Sequence, residues 1–202
     1  GETSVVIHGP LPVEGEVLGR ATFGPIFDKG AAKGAVAYQT REIYLADGTH
    51  VATVRNASFL RGEGGFGGNS ESQPKPRVIP EGAPDVAVAL ATATNQATIY
   101  RLSGDLNPLH IDPAVAQAAG FPRPILHGLA TYGVVGRAIL AALCDNMPER
   151  LKRLDARFSS PIFPGETIRT EIWHEGAGSA AFRAIAAERG QIVLNNGYAE
   201  FV

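Results

Sequence analysis

Residues 125–144, ILHGLATYGVVGRAILAALC, decide how the chain folds. Apolar and small residues recur there at helical spacing, with Leu129, Tyr132, Gly133, Gly136, Ile139, Leu140 and Leu143 on one stripe. The run is about long enough for a membrane span. It carries His127 and Arg137, however, and its glycines are closely spaced, which suits a core helix better. The spacing predicts a helix from about residue 127 to 144 and no membrane segment.

After the helix the period changes to two. RLDARFSSPIF (153–163), ETIRTEIWHEG (166–176), SAAFRAIAAERG (179–190) and QIVLNNGYAEFV (191–202) read as four antiparallel strands. Ile168, Thr170 and Ile172 alternate with Arg169, Glu171 and Trp173; Phe182, Ala184 and Ala186 alternate more weakly with Arg183, Ile185 and Ala187. The strands need a cover for their apolar face, and the helix is the candidate. Gly133 and Gly136 would let it lie close. A sheet curled around one long helix is the hot-dog architecture, an α+β class.

Upstream, residues 1–66 read as strands with Gly-containing turns, notably ADG at 46–48, and no helix of useful length. Residues 67–84, GGNSESQPKPRVIPEGAP, are polar and rich in Pro and Gly, an extended exposed linker. The expected division is an N-terminal half at 1–68, a linker at 69–84 and a C-terminal catalytic half at 85–202. In the C-terminal half, Asp112-Pro113 caps a short helix that ends at Gly120.

The chemistry concentrates in YRLSGDLNPLHID, residues 100–112. Asp105 and His110 are a carboxylate and an imidazole that can divide acid and base work near neutral pH. Pro108 stiffens the loop between them and biases Asn107 toward extended backbone. Asn107 can orient either partner or lock the loop. A solvated turn is the bland alternative, since Asp and Asn before Pro are common turn formers. Gly128, at the start of the long helix, adds weight: N–H groups there have no internal partner, and glycine admits a ligand oxygen. This suits an oxyanion site. His127 reads as structural or capping.

Other chemistries find less support. Ser103 and Cys144 have no base at a recognisable spacing. His8, His50, His110, His127 and His174 lack the short ligand spacings of zinc sites, so no metal is expected. RGEGGFGG lacks the helix and acidic residue of a dinucleotide fold. With 45% hydrophobic and 19% charged residues, the chain can bury a core. Its net charge of −2 gives no basic surplus for nucleic acid or an anionic membrane. One cysteine excludes an internal disulfide and fits a reducing compartment. GETSVVIHGPLP has neither a basic lead nor a long apolar run, and the chain lacks an initiator Met, as a processed or truncated piece would.

YRLSGDLNPLHIDP followed by AGFPRPILHGLAT resembles the hydratase 2 motif of the MaoC-like family, the (R)-specific enoyl-CoA hydratases that include the hydratase part of peroxisomal multifunctional enzyme type 2. FDKG (27–30), FLRGEGGFGG (59–68), ARFSSPIFPGET (156–167) and NNGYAEF (195–201) are similar to the same family, so the likeness covers essentially the whole chain. It implies a double hot-dog fold and hydration of trans-2-enoyl-CoA to (R)-3-hydroxyacyl-CoA. It places catalytic roles on Asp105 and His110, the motif Asn on Asn107, the oxyanion glycine on Gly128, and ligand contacts on Lys29 and Phe158. A His-Gly-Glu stretch of the family matches only as Gly1-Glu2. A first helix and further strands precede this point in the family, so the N-terminal half is expected to be incomplete, with an apolar sheet face left for a partner.

Acyl-CoA is then the expected partner, no cofactor is needed, and hot-dog proteins by analogy pair as homodimers. The ending AEFV lacks a peroxisomal tripeptide, which suggests the cytoplasm. The alternatives are an acyl-carrier-protein dehydratase, an acyl-CoA thioesterase of the same fold, and a non-catalytic acyl-binding subunit.

Overall fold

Strands are the main regular element in the computed structural model, which describes residues 1–68 and 73–202. The expected linker at 69–84 starts with residues outside that set. The strands are β1 (Glu2–Ile7), β2 (Val17–Asp28), β3 (Ala35–Leu45), β4 (His50–Leu60), β5 (Val86–Ala91), β6 (Leu151–Phe158), β7 (Thr167–His174), β8 (Ser179–Ala186) and β9 (Gln191–Phe201). They form one nine-stranded sheet in the order β2-β3-β4-β1-β6-β9-β8-β7-β5, and every ladder in it is antiparallel. β1 joins the two halves. Its Ser4 pairs with Arg55 of β4 on one side and Asp155 of β6 on the other.

The helices are α1 (Gln96–Arg101), α2 (Pro113–Ala118) and α3 (Gly128–Leu143). Asp112 caps α2 as its sequence predicts, accepting from Ala114 N at 2.8 Å and Val115 N at 3.4 Å. No helix among the described residues is long and apolar enough to cross a membrane.

α3 lies against the C-terminal half of the sheet. Val135, Ile139 and Leu143 of α3 bury with Leu154, Ile172, Phe182 and Leu194 of the strands. Each such side chain contributes about 1.5–3 kcal/mol. The tyrosine hydroxyl of Tyr132 donates to the Leu154 carbonyl at 2.6 Å, which fixes the helix over β6. The buried stripe overlaps the predicted one at Ile139 and Leu143, with Tyr132 and Leu140 partly buried beside it, but is turned away from Leu129. Thr131, Val135, Ala138 and Ile139 point inward, while Leu129 is 54% exposed. Of Gly133 and Gly136, only the second faces a strand: a Cβ on Gly136 would meet Leu154 Cδ2 at 3.4 Å, and one on Gly133 would meet nothing within 4 Å.

The C-terminal half has five strands rather than four. β5 pairs with β7 at the sheet edge, Val86 opposite Ile172. α1 follows it. β5 and the start of α1 lie in residues 85–99, which are small and apolar with Thr and Asn mixed in. In the N-terminal half no helix occurs among the described residues. β2 is exposed along most of its length, with Leu18 at 67% and Phe23 at 77%. The extended segment at 74–77 crosses the sheet face away from α3. Arg77 pairs there with Glu175 and lies 3.9 Å above the Tyr198 ring.

Candidate active site

The acid–base corner is built by local hydrogen bonds. α1 ends at Arg101, whose Nη1 donates to the Leu106 carbonyl at 2.7 Å. Gly104, at φ 104°, makes the turn into Asp105, a conformation that favours glycine. Asn107 caps a short 3-10 turn over Pro108–His110. Its Oδ1 accepts from Leu109 N at 3.0 Å, and its own N–H donates to Asp105 Oδ1 at 3.2 Å. Of the two roles open to Asn107, locking the loop is the one its side chain performs.

His110 is buried and Asp105 is exposed. His110 Nδ1 donates to the Ile125 carbonyl at 2.8 Å, because a carbonyl can only accept. Nε2 of the neutral ring is thereby left with its lone pair, as a base requires. The Asp105 carboxylate, a His110 nitrogen and a His127 nitrogen lie within 4.8 Å of one another. Residues scattered in the sequence thus meet at one point. The imidazole rings of His110 and His127 stack with centroids 3.7 Å apart and planes 29° apart. Stacked rings aim their in-plane lone pairs side by side rather than at one point, and each ring already uses one nitrogen on a carbonyl. The cluster suits proton transfer better than tetrahedral metal ligation.

Gly128 opens α3 directly after His127. A Cβ there would sit 3.1 Å from Cε1 of Phe158, so the Phe158 ring covers the helix start. Phe158 N in turn donates to the Gly1 carbonyl at 2.9 Å. Gly128, Phe158 and Gly1 are therefore neighbours at one end of the sheet, beside the acid–base corner.

Lys29 is not part of that group. It follows β2 at the same end of the sheet, four strand spacings from β6, or roughly 19 Å away. Its position is set by Asp28, a residue the sequence did not mark. The buried Asp28 carboxylate accepts from Gly30 N and Gly65 N at 2.8 Å and from Gly67 N at 2.7 Å. These main-chain donors, Gly65 foremost, hold the carboxyl below the ordinary range. The glycine loop is thereby pinned to the turn after β2. Tyr100 was also missed. Its ring lies 4.8 Å from that of His127, and burial, then Asp105, raises its hydroxyl pKa.

A cleft of about 230 Å³ reaches His110, between Thr94, Thr98, Arg123 and Pro164. The larger hollow, about 680 Å³, lies on the opposite face under residues 74–77 and touches none of the cluster. The smaller cleft is the one the chemistry can use.

Residues 76–196, which hold both the acid–base corner and the helix start, match the family described as MaoC like domain. The chain belongs to the MaoC-like family. This MaoC-like chain is 43% identical over 208 residues to 3-hydroxyacyl-thioester dehydratase Y of Mycobacterium tuberculosis, covering 100% of the chain and 72% of that protein. It is 42% identical over 202 residues to "Probable enoyl-CoA hydratase 2" of Dictyostelium discoideum, covering 98% of the chain and 68% of the relative. Its fold matches the crystal structure of a MaoC-like dehydratase from Phytophthora capsici with TM-score 0.94 at 40% identity, over 100% of the chain and 70% of that structure. It spans a smaller share, 27%, of the mouse peroxisomal multifunctional enzyme type 2, at 40% identity. The expected α+β hot-dog class agrees with these likenesses.

Proposed function

We propose that this MaoC-like chain is a lyase that adds water to a trans-2-enoyl-CoA, giving (R)-3-hydroxyacyl-CoA, and runs the reverse dehydration. The observation that carries the reading is the Asp105–His110 pair, joined within 4.8 Å beside the free N–H groups that open α3. The names of two relatives, a 3-hydroxyacyl-thioester dehydratase and an enoyl-CoA hydratase, describe the two directions of that reaction.

The third carbon of an enoyl thioester is electrophilic, and attack there builds negative charge on the thioester oxygen. Gly128 N–H stabilises that enolate, aided by the positive end of the α3 dipole. His110 Nε2 takes a proton from water as the hydroxide adds to the third carbon. Asp105, entering the cycle as the protonated acid, gives its proton to the second carbon, and the resulting carboxylate is reloaded from the His110 imidazolium through solvent. One water is consumed and both side chains return to their starting state. With both groups on one side of the substrate, addition is syn. In the same reading Phe158 and Gly1 line the thioester end, Lys29 meets the distal CoA phosphates, and the enzyme is a cytoplasmic homodimer without a cofactor.

An activity scan with enoyl-CoAs of several chain lengths, with chiral analysis of the product, tests the proposal. It predicts loss of the enoyl chromophore, no release of free thiol and an (R)-alcohol. Free thiol would instead indicate a thioesterase. Binding without turnover would indicate an acyl-binding subunit, and turnover of carrier-protein thioesters alone would move the substrate class.

A further inference from the structure

We infer that His127 is a positioning residue, a brace that holds Asp105 and His110 in register. The inference rests on the hydration reading for its consequence, though not for its geometry. His127 occupies the N-cap of α3 yet makes no side-chain capping bond, so the capping role suggested by the sequence is not the one it performs. Its ring is only 1% exposed and packs between Tyr100 and His110. Nε2 donates to the main-chain carbonyl of Asp105 at 3.3 Å. One side chain thus touches both members of the pair: its face fixes the plane of the His110 ring, and its N–H fixes the backbone that carries the Asp105 carboxylate.

Packing does not account for an imidazole here. With Nε2 donating, Nδ1 is bare, and it is buried with no hydrogen-bond partner among the described residues. A phenyl ring would fill the space without that orphan nitrogen, whose burial is costly. The donor to Asp105 is what a phenyl would lose. Burial, and then the neighbouring His110, holds His127 below the ordinary histidine range, which keeps it neutral. A neutral ring face accommodates the imidazolium that forms when His110 takes a proton, whereas a second cation stacked on it would oppose that step.

Two variants separate the contacts. His127→Phe keeps the stacked ring and loses the donor; His127→Gln keeps a donor and loses the ring. Each is expected to lower kcat on trans-2-butenoyl-CoA by roughly tenfold to a hundredfold, the scale of a displaced reactive group, with KM changed by less than about threefold. In a His110→Gln background, His127→Phe should cost less than about threefold more, because residues that act as a unit are not additive. Wild-type kcat in His127→Phe, an undiminished loss in the His110→Gln background, or failure of both variants to fold would each overturn the brace.

A substrate-free measurement keeps this apart from the function. Nitrogen NMR of the His110 ring should show one tautomer, protonated at Nδ1, in the native protein and exchange-broadened signals in His127→Phe. A protein that hydrates no enoyl thioester but shows this change rejects the hydration reading and retains the brace. Unchanged His110 signals reject the brace.

Discussion

The Phe158 ring lies against the Cα of Gly128 so closely that an added methyl would meet Cε1 at 3.1 Å and Cδ1 at 3.3 Å. Contacts that short force the ring to move by a few tenths of an ångström. Gly128→Ala should cost about 1–3 kcal/mol of stability by denaturant unfolding. It should also lower kcat/KM, since in the proposed reaction the methyl shields the amide that faces the thioester oxygen. Adding Phe158→Leu is expected to recover part of the stability and none of the activity. Recovery of both would mean that the glycine serves packing alone.

The two helix glycines should respond differently. Gly133 is open, so Gly133→Ala should stabilise the protein by about 0.5–1 kcal/mol through helix propensity alone. Gly136 faces Leu154, and Gly136→Leu should destabilise by about 1–3 kcal/mol through overpacking. Urea unfolding of both variants checks which way α3 is turned. A loss of stability in Gly133→Ala would restore the stripe read from the sequence.

Asp28 gives a pH-dependent prediction. Its folded pKa is depressed, so its contribution is complete above the unfolded carboxylate value of about 4 and is lost as pH falls through the folded value. Asp28→Asn retains one acceptor and turns an amide donor toward a glycine N–H. Its melting temperature should lie below that of the wild type at pH 7, and the gap should narrow below about pH 4. Hydrogen exchange at Gly65 and Gly67 should quicken in the variant. A gap independent of pH would show that the carboxylate charge does not pin the loop.

Asp105 is exposed and makes one local hydrogen bond, to Asn107 N. Asp105→Asn should therefore leave the melting temperature within a degree or two. Turnover should drop about 10²–10⁴-fold, the worth of one positioned acid or base. A variant that loses turnover only in proportion to its folded fraction would assign Asp105 to structure.

Much of this was legible because it is local. Asp105, Asn107 and His110 sit within six residues, and a Pro and a Gly fix their turn, so their joint placement follows from the loop itself. The period-two stretches became strands because alternation survives in any sheet that is covered on one side. Long-range relations were not legible. His127 is 22 residues from Asp105, and nothing in its neighbourhood announces the contact between them. β1 is short, and its place between β4 and β6 is decided by partners distant in sequence. The facing of α3 was legible only in part: Ile139 and Leu143 lie on the buried stripe, whereas Leu129 does not, and the rest of the stripe runs through Thr131 and Ala138, residues of weak hydrophobic signal. Asp28 reads as a turn former until the glycine loop that donates to it is brought alongside.

Single-turnover hydration of trans-2-butenoyl-CoA by folded His110→Gln, set beside the wild type, tests the central claim most directly. The account predicts an (R)-3-hydroxybutanoyl product from the wild type and a rate lowered about 10²–10⁴-fold in the variant. A variant that forms the same product at the wild-type rate would contradict it.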